Sequence, residues 1–293
     1  MVGSPDSLSL EIQFAACTLL ILTLGIPHGA LDNVLYLRNK KLSRSGFIGI
    51  YLLIIGLNVL FWITLPLLAY TSFLLLSAYH FGQSQFTHYL KGQTRSHQVL
   101  FMTWGITVLV GLIYFNHQEL QNIMQANPDF AVLLPFHQLL ILKVLFLTAS
   151  GCTLALLISF TVKKKLSSES FFMEVLVLAL ILTSFFLLPL LVGFTSYFVI
   201  LHSFKVLREE YFYLSSERAV KSVADFVKLL TPFTLITIIG VLLLFGLSYF
   251  QILELSYAYV LLIVVSSISL PHIFVMNTFY QVLFRKNFYP HQA

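Results

Sequence analysis

Residues 11–37 read EIQFAACTLLILTLGIPHGALDNVLYL, an apolar run with Gly25-Ile26-Pro27-His28-Gly29-Ala30-Leu31-Asp32 set inside it. A helix needs roughly 20 mostly apolar residues to cross a bilayer. This run is long enough, and it carries a histidine into hydrocarbon. Imidazole is costly to bury there, so an intramembrane histidine marks function. Pro-His recurs in Ser269-Leu270-Pro271-His272, inside another apolar run, and His80 and His202 lie in two more.

The composition extends that reading to the whole chain. Of 293 residues, 58% are hydrophobic and 10% charged, and the mean hydropathy is +0.88. A soluble domain carries about 25% charged residues. The expected fold class is therefore all-α, a polytopic integral membrane helical bundle in the cell (inner or plasma) membrane. No polar stretch is long enough for a separate soluble unit, so residues 1–293 are expected to form a single transmembrane domain, with a short polar N-terminus (1–10) and a C-terminal tail (284–293). The N-terminus lacks a basic region and a small-residue cleavage site, so the first run is expected to be a retained span. Cys17 and Cys152 both fall inside spans and form no CxxC pair, which fits buried, reduced thiols.

About nine spans are expected, with eight as the alternative: 11–37, 46–66, 69–89, 98–115, 138–161, 171–189, 192–213, 229–249 and 255–283. The joins after Pro66 and Pro189 suggest tight helical hairpins. Basic residues test the count. Arg38, Lys40, Lys41 and Arg44 fill the first loop, Lys91 and Arg95 the third, and Lys163, Lys164 and Lys165 the fifth. Arg208, Arg218, Lys221 and Lys228 crowd the seventh, and Arg285 and Lys286 follow the last span. Nine spans with the N-terminus outside and the C-terminus cytoplasmic put every basic cluster in the cytoplasm. The net charge of +5 is thus a topology signal, and nucleic-acid binding has no support.

The same topology sorts the nine histidines. His88, His97, His117, His137 and His291 fall in or beside loops and read as solvated. His28, His80, His202 and His272 come from the first, third, seventh and ninth spans, which run in the same direction. Each lies shortly before a basic cluster, so at about 1.5 Å per residue all four belong in the cytoplasmic half of the bilayer. A single buried histidine is ordinarily satisfied by a neighbouring helix. Four at matched depth favour a metal site, for which iron, zinc and copper all take imidazole. Asp32, four residues after His28, falls on the same helical face and either accepts its other N–H or is a helix-end carboxylate near the interface. Gln83, three residues after His80, either serves that histidine similarly or bonds a neighbouring helix. Phe185, Phe186, Phe194, Tyr197 and Phe198, just ahead of His202, either line a channel for a long flat apolar molecule or face lipid and core.

GIPHGALD, AYHFG at Ala78–Gly82, LHS at Leu201–Ser203 and LPH at Leu270–His272 resemble the Brp/Blh family of integral-membrane β-carotene 15,15′-dioxygenases, in order and spacing over nearly the whole chain. The resemblance implies cleavage of the central double bond of β-carotene, or a related carotenoid, by Fe(II) and O2 to give two retinal molecules, with substrate taken from membrane lipid. It implies iron ligation by His28, His80 and His202. The family's third motif reads His-Ser-x-x-His, but here Val206 stands at the second histidine. Gln85 stands where the family's HFGxxD has its acid. Three histidines with water or Glu209 would be one solution, and altered or lost activity another. Glu209 lies about two turns from His202, so His272 is the favoured substitute.

Other classes fit less well. Two-iron desaturases need several HxxxH or HxxHH boxes, which the chain lacks, and a retinal-binding rhodopsin needs a lysine deep in its last helix, where none precedes Lys286. A transporter or proton channel built on buried histidines and Asp32 is the non-enzymatic alternative. A non-catalytic homologue assisting rhodopsin or retinal biogenesis is another, and the family's naming suggests a functional link to a microbial rhodopsin.

Overall fold

A computed structural model describes residues 9–38, 42–90 and 94–286. The expectations for residues 1–8, for Lys40, Lys41, Lys91 and His291, and for most of the C-terminal tail fall outside these residues. No strand occurs among the described residues. The helices are α1 (Leu10–Leu20), α2 (Asp32–Leu37), α3 (Arg44–Thr64), α4 (Pro66–Phe86), α5 (Arg95–Phe115), α6 (His117–Ala126), α7 (Leu139–Val162), α8 (Ser168–Leu187), α9 (Leu190–Ser196), α10 (Phe204–Ser216), α11 (Val223–Tyr249) and α12 (Tyr257–Arg285).

Two junctions keep the helical path but change its pitch. A π-helical turn at Ile21–Gly25 and a 3-10 segment at Ile26–Leu31 join α1 to α2, and a π segment at Tyr197–Ser203 joins α9 to α10. Pro27 explains the first, because it has no N–H to return to the preceding turn. Pro271, by contrast, sits inside an unbroken α12.

Eight helical stretches are long and apolar enough to cross a membrane, counting α1–α2 and α9–α10 as one each. They coincide with eight of the nine expected runs. The ninth, 69–89, is α4, which has spanning length but is not among the eight. Its tyrosines, serines, histidine and glutamines dilute its apolarity, and it compensates by burial, with Tyr70, Ser77, His80, Gln83 and Ser84 all inside the protein. The hairpins turn at Leu65, just before Pro66, and at Leu188–Pro189.

Small residues bring α4 and α5 into backbone contact. A Cβ on Gly82 would stand 1.9 Å from the Phe101 carbonyl oxygen, and one on Gly105 would stand 1.8 Å from that of Ala78. Close approach of this kind replaces the hydrophobic force that lipid cannot supply. Polar bonds tie α3 to α12: Asn58 Nδ2 donates to Ser267 Oγ at 3.0 Å and Trp62 Nε1 to Ser266 Oγ at 2.7 Å.

Two loop expectations are corrected. His97 and His137 are buried, at 3% and 2% exposure. His97 lies in the first turn of α5. His137 ends a 3-10 segment, Pro128–His137, that folds back over the bundle, where Tyr70 Oη pairs with its Nε2 at 3.1 Å. Burial, with His117 nearby, holds the His137 imidazole down at about 4. Cys152 is also corrected: it is exposed on the outer surface of the bundle, while Cys17 is buried.

Candidate metal centre and apolar cavity

The four histidines of the expected layer meet. His28 packs against His202 and His272, with ring centroids 5.3 and 4.7 Å apart, and His80 packs against the same two at 5.0 and 5.2 Å. The rings form a closed circuit, with His28 and His80 across from each other. Ligand nitrogens of His28, His80 and His202 all lie within 4.8 Å of one another. Two imidazoles bound at ~2.1 Å to one ion stand no more than ~4.2 Å apart, so the trio is within about half an ångström of sharing one.

Local pitch aims these side chains. The 3-10 segment presents His28 inward and places its Nδ1 against the Gly25 carbonyl. A carbonyl only accepts, so Nδ1 carries the proton and Nε2 is left as an electron-pair donor. His272 donates from Nδ1 to Asp32 Oδ1 at 2.8 Å, and Tyr51 Oη donates to Asp32 Oδ2 at 2.9 Å. That fixes the His272 tautomer in the same sense. His80 Nδ1 and Nε2, His202 Nε2 and His272 Nε2 are buried without a hydrogen-bond partner in the protein. A buried polar group left unpaired costs about 1–3 kcal/mol; one His80 nitrogen carries a proton, and a metal ion would satisfy the lone pair on each of these rings.

Asp32 is therefore attached to His272 and not to His28. On an α-helix a four-residue step turns about 40° off the starting face, but at 3-10 pitch it turns closer to 120°. The carboxylate is carried round towards α12. Gln83 also differs from the first of its two expected roles: its Nε2 donates to Asn277 Oδ1 on α12 at 3.0 Å. Tyr51, the Gly25 carbonyl and Phe81, whose ring lies 4.7 Å from His202, were not singled out by the sequence. Nothing local marks Tyr51, which becomes relevant only when α3 packs beside α2.

An apolar cavity of about 290 Å³ adjoins the histidines. It extends along α4 from His80 to Tyr70 and along α12 from His272 to Ala258, and Met124, Phe130 and Leu133 line its far end. Ten residues of α4 measure about 15 Å. Phe194 and Phe198 line it, stacked at 5.4 Å, and Phe198 stacks in turn on His202 at 5.7 Å. Gly25 makes room for Phe198, since a Cβ there would lie 2.7 Å from its ring. The other three expected channel aromatics do not line the cavity. Phe186 is 70% exposed on the outside of the bundle, and Phe185 and Tyr197 are packed behind the wall, 6.1 Å from each other. The turn at Pro189 sets α8 apart from α9, and Tyr197 projects from a different side of its segment than Phe194 and Phe198.

A family model described as beta-carotene 15,15′-dioxygenase matches residues 19–280. A curated protein named beta-carotene 15,15′-dioxygenase, from an uncultured marine bacterium 66A03, is 38% identical over 72 residues, which is 23% of this chain. The match spans 26% of that relative's length. No solved structure matches.

Proposed function

The chain belongs to the β-carotene 15,15′-dioxygenase family, and from that premise we propose that it cleaves the central double bond of β-carotene with O2, giving two retinal molecules. The reading includes Fe(II) held by His28, His80, His202 and His272, in a multi-pass protein of the cell membrane with its N-terminus outside. The observation that carries it is the set of buried, unpartnered imidazole nitrogens at one end of an apolar cavity. Bound iron would supply the activation of dioxygen.

The protein's own residues supply positioning. The Gly25 carbonyl and Asp32 hold His28 and His272 with Nε2 available, and Tyr51 holds Asp32. Nearly featureless apolar walls receive a polyene from the bilayer and exclude water. Phe194 and Phe198 offer flat faces along its path. Holding a substrate bond beside the reactive centre is itself a large part of catalysis. Val206, fully buried among apolar residues, takes no part in ligation, and His272 supplies the fourth imidazole.

Expression in a β-carotene-producing bacterium tests the reading. Loss of orange colour with retinal in the extract is expected, together with one iron per purified chain. Cells that stay orange and contain no retinal overturn the enzymatic reading in favour of a non-catalytic homologue. Purified protein without metal would favour a transporter or channel.

A further inference from the structure

The C-terminal end of α4, which carries His80, has four carbonyls with no partner inside the helix, as every helix does. Burial inside a membrane protein requires that each find one. Gln83 O accepts from Thr87 N at 3.0 Å, and Phe86 O accepts from Tyr89 N and Leu90 N at 3.1 Å. The two between them, Ser84 O and Gln85 O, accept from a single group, Lys205 Nζ, the latter at 3.0 Å. Lys205 lies three residues after His202, at the start of α10. One side chain thus spans from the helix of one histidine to the helix of another. The Gln85 side chain completes the node by donating to both carboxylate oxygens of Glu174, at 3.0 and 2.8 Å.

The bridge stands where other contacts are sparse. Glycine contacts lock α4 against α5 on one side, whereas the π segment carrying His202 approaches the α4 backbone at few points. A cation at a helix C-terminus is also favoured by the helix dipole, and Glu174 and Glu209 are close enough to act on its charge.

We propose that Lys205 is a positioning residue that sets the separation of His80 and His202, by tying the helix of one to the terminal carbonyls of the other. The inference rests on the reading of the histidines as metal ligands. Lys205 touches neither ligand nor substrate. It acts by holding the backbone from which two of them project.

The test is metal binding by full-length protein in detergent, titrated with Fe(II), and the visible spectrum after Co(II) substitution, which reports coordination geometry. Lys205→Met is expected to weaken Fe(II) binding on the order of 10-fold, as loss of a ligand-orienting partner does, and to alter the Co(II) bands. Lys205→Arg, which can still donate to both carbonyls, is expected to restore affinity and spectrum. Lys143→Met, which removes an exposed lysine of α7, is expected to change neither. If wild-type protein binds no metal, the reading of the site fails. If wild type binds and Lys205→Met binds as tightly with the same spectrum, the positioning role is overturned while the site stands. Should Lys205→Met not yield monodisperse protein, Lys205→Gln decides: wild-type affinity and spectrum overturn the proposal, and weakened binding supports it.

Discussion

The helices that bear His28 and His202 are interrupted, whereas those on the periphery are not. His28 follows a π turn and sits in a 3-10 segment, and His202 sits in a π segment. α7, α8 and α11 run unbroken for 24, 20 and 27 residues. Their large apolar side chains face outward, with Leu140 72%, Phe172 69% and Ile236 66% exposed. A lipid-facing helix needs only an apolar surface and its own hydrogen bonds. A site needs side chains aimed at one point from several helices, and pitch changes of this kind commonly accompany function. Regularity and aim are separate demands: His80 and His272 are presented by the unbroken α4 and α12, His28 and His202 by stretches whose pitch changes.

Substitutions probe that contrast, and the largest effect is expected inside. His28→Ala should abolish retinal formation and remove bound iron; turnover and iron content at wild-type levels would take His28 out of the site. Asp32→Asn should keep the fold but lower iron affinity by about 10–100-fold, because the group that orients His272 is weakened. Unchanged iron titration would show that the Asp32–His272 bond does not bear on the metal.

Glycines give the sharpest internal-versus-peripheral test of stability. Gly82→Ala forces a Cβ into the Phe101 carbonyl and should destabilise the protein by about 3 kcal/mol or more, since overpacking of an interlocked contact is poorly absorbed. Gly151 in α7 and Gly240 in α11 face open space. Alanine there should leave stability unchanged or raise it by up to ~1 kcal/mol through helix propensity. Thermal unfolding in one detergent compares all three, and equal shifts would erase the distinction between the two regions.

The smallest effect is expected in the Pro128–His137 segment. The His137 imidazole is held at about 4, below its ordinary 6.5. A depressed histidine leaves the folded state fully favoured above 6.5, and that advantage is lost as pH falls towards 4, because only the unfolded segment accepts the proton readily. Hydrogen exchange of amides 128–137 should therefore quicken across that window, while peptides of α7 do not follow. His137→Gln should flatten the response.

Much of this was legible along the chain. Span positions follow from additive, local hydropathy, so the expected runs match the observed helices to within three residues, except that α11 begins six residues before the expected 229. The depth of the four histidines was legible for the same reason, because a helix converts residue number into height. α4 marks the limit: it was expected as a span like the others, yet its polar residues keep it out of the eight stretches apolar enough to cross a membrane, and those residues are satisfied by burial against its neighbours.

What the tertiary structure alone decided is who touches whom. Asp32 pairs with a histidine 240 residues away, Gln83 with an asparagine on the same distant helix, and only two of five candidate aromatics reach the cavity. Lys205 reads as one more cation near an interface until α10 crosses the end of α4. The physical reason is common to these cases. Hydropathy depends on residues within one helix, whereas direction depends on helix phase, and π and 3-10 pitch shift that phase before helices meet. Sequence by itself placed four histidines at matching heights along their helices. Packing determined that they face one another.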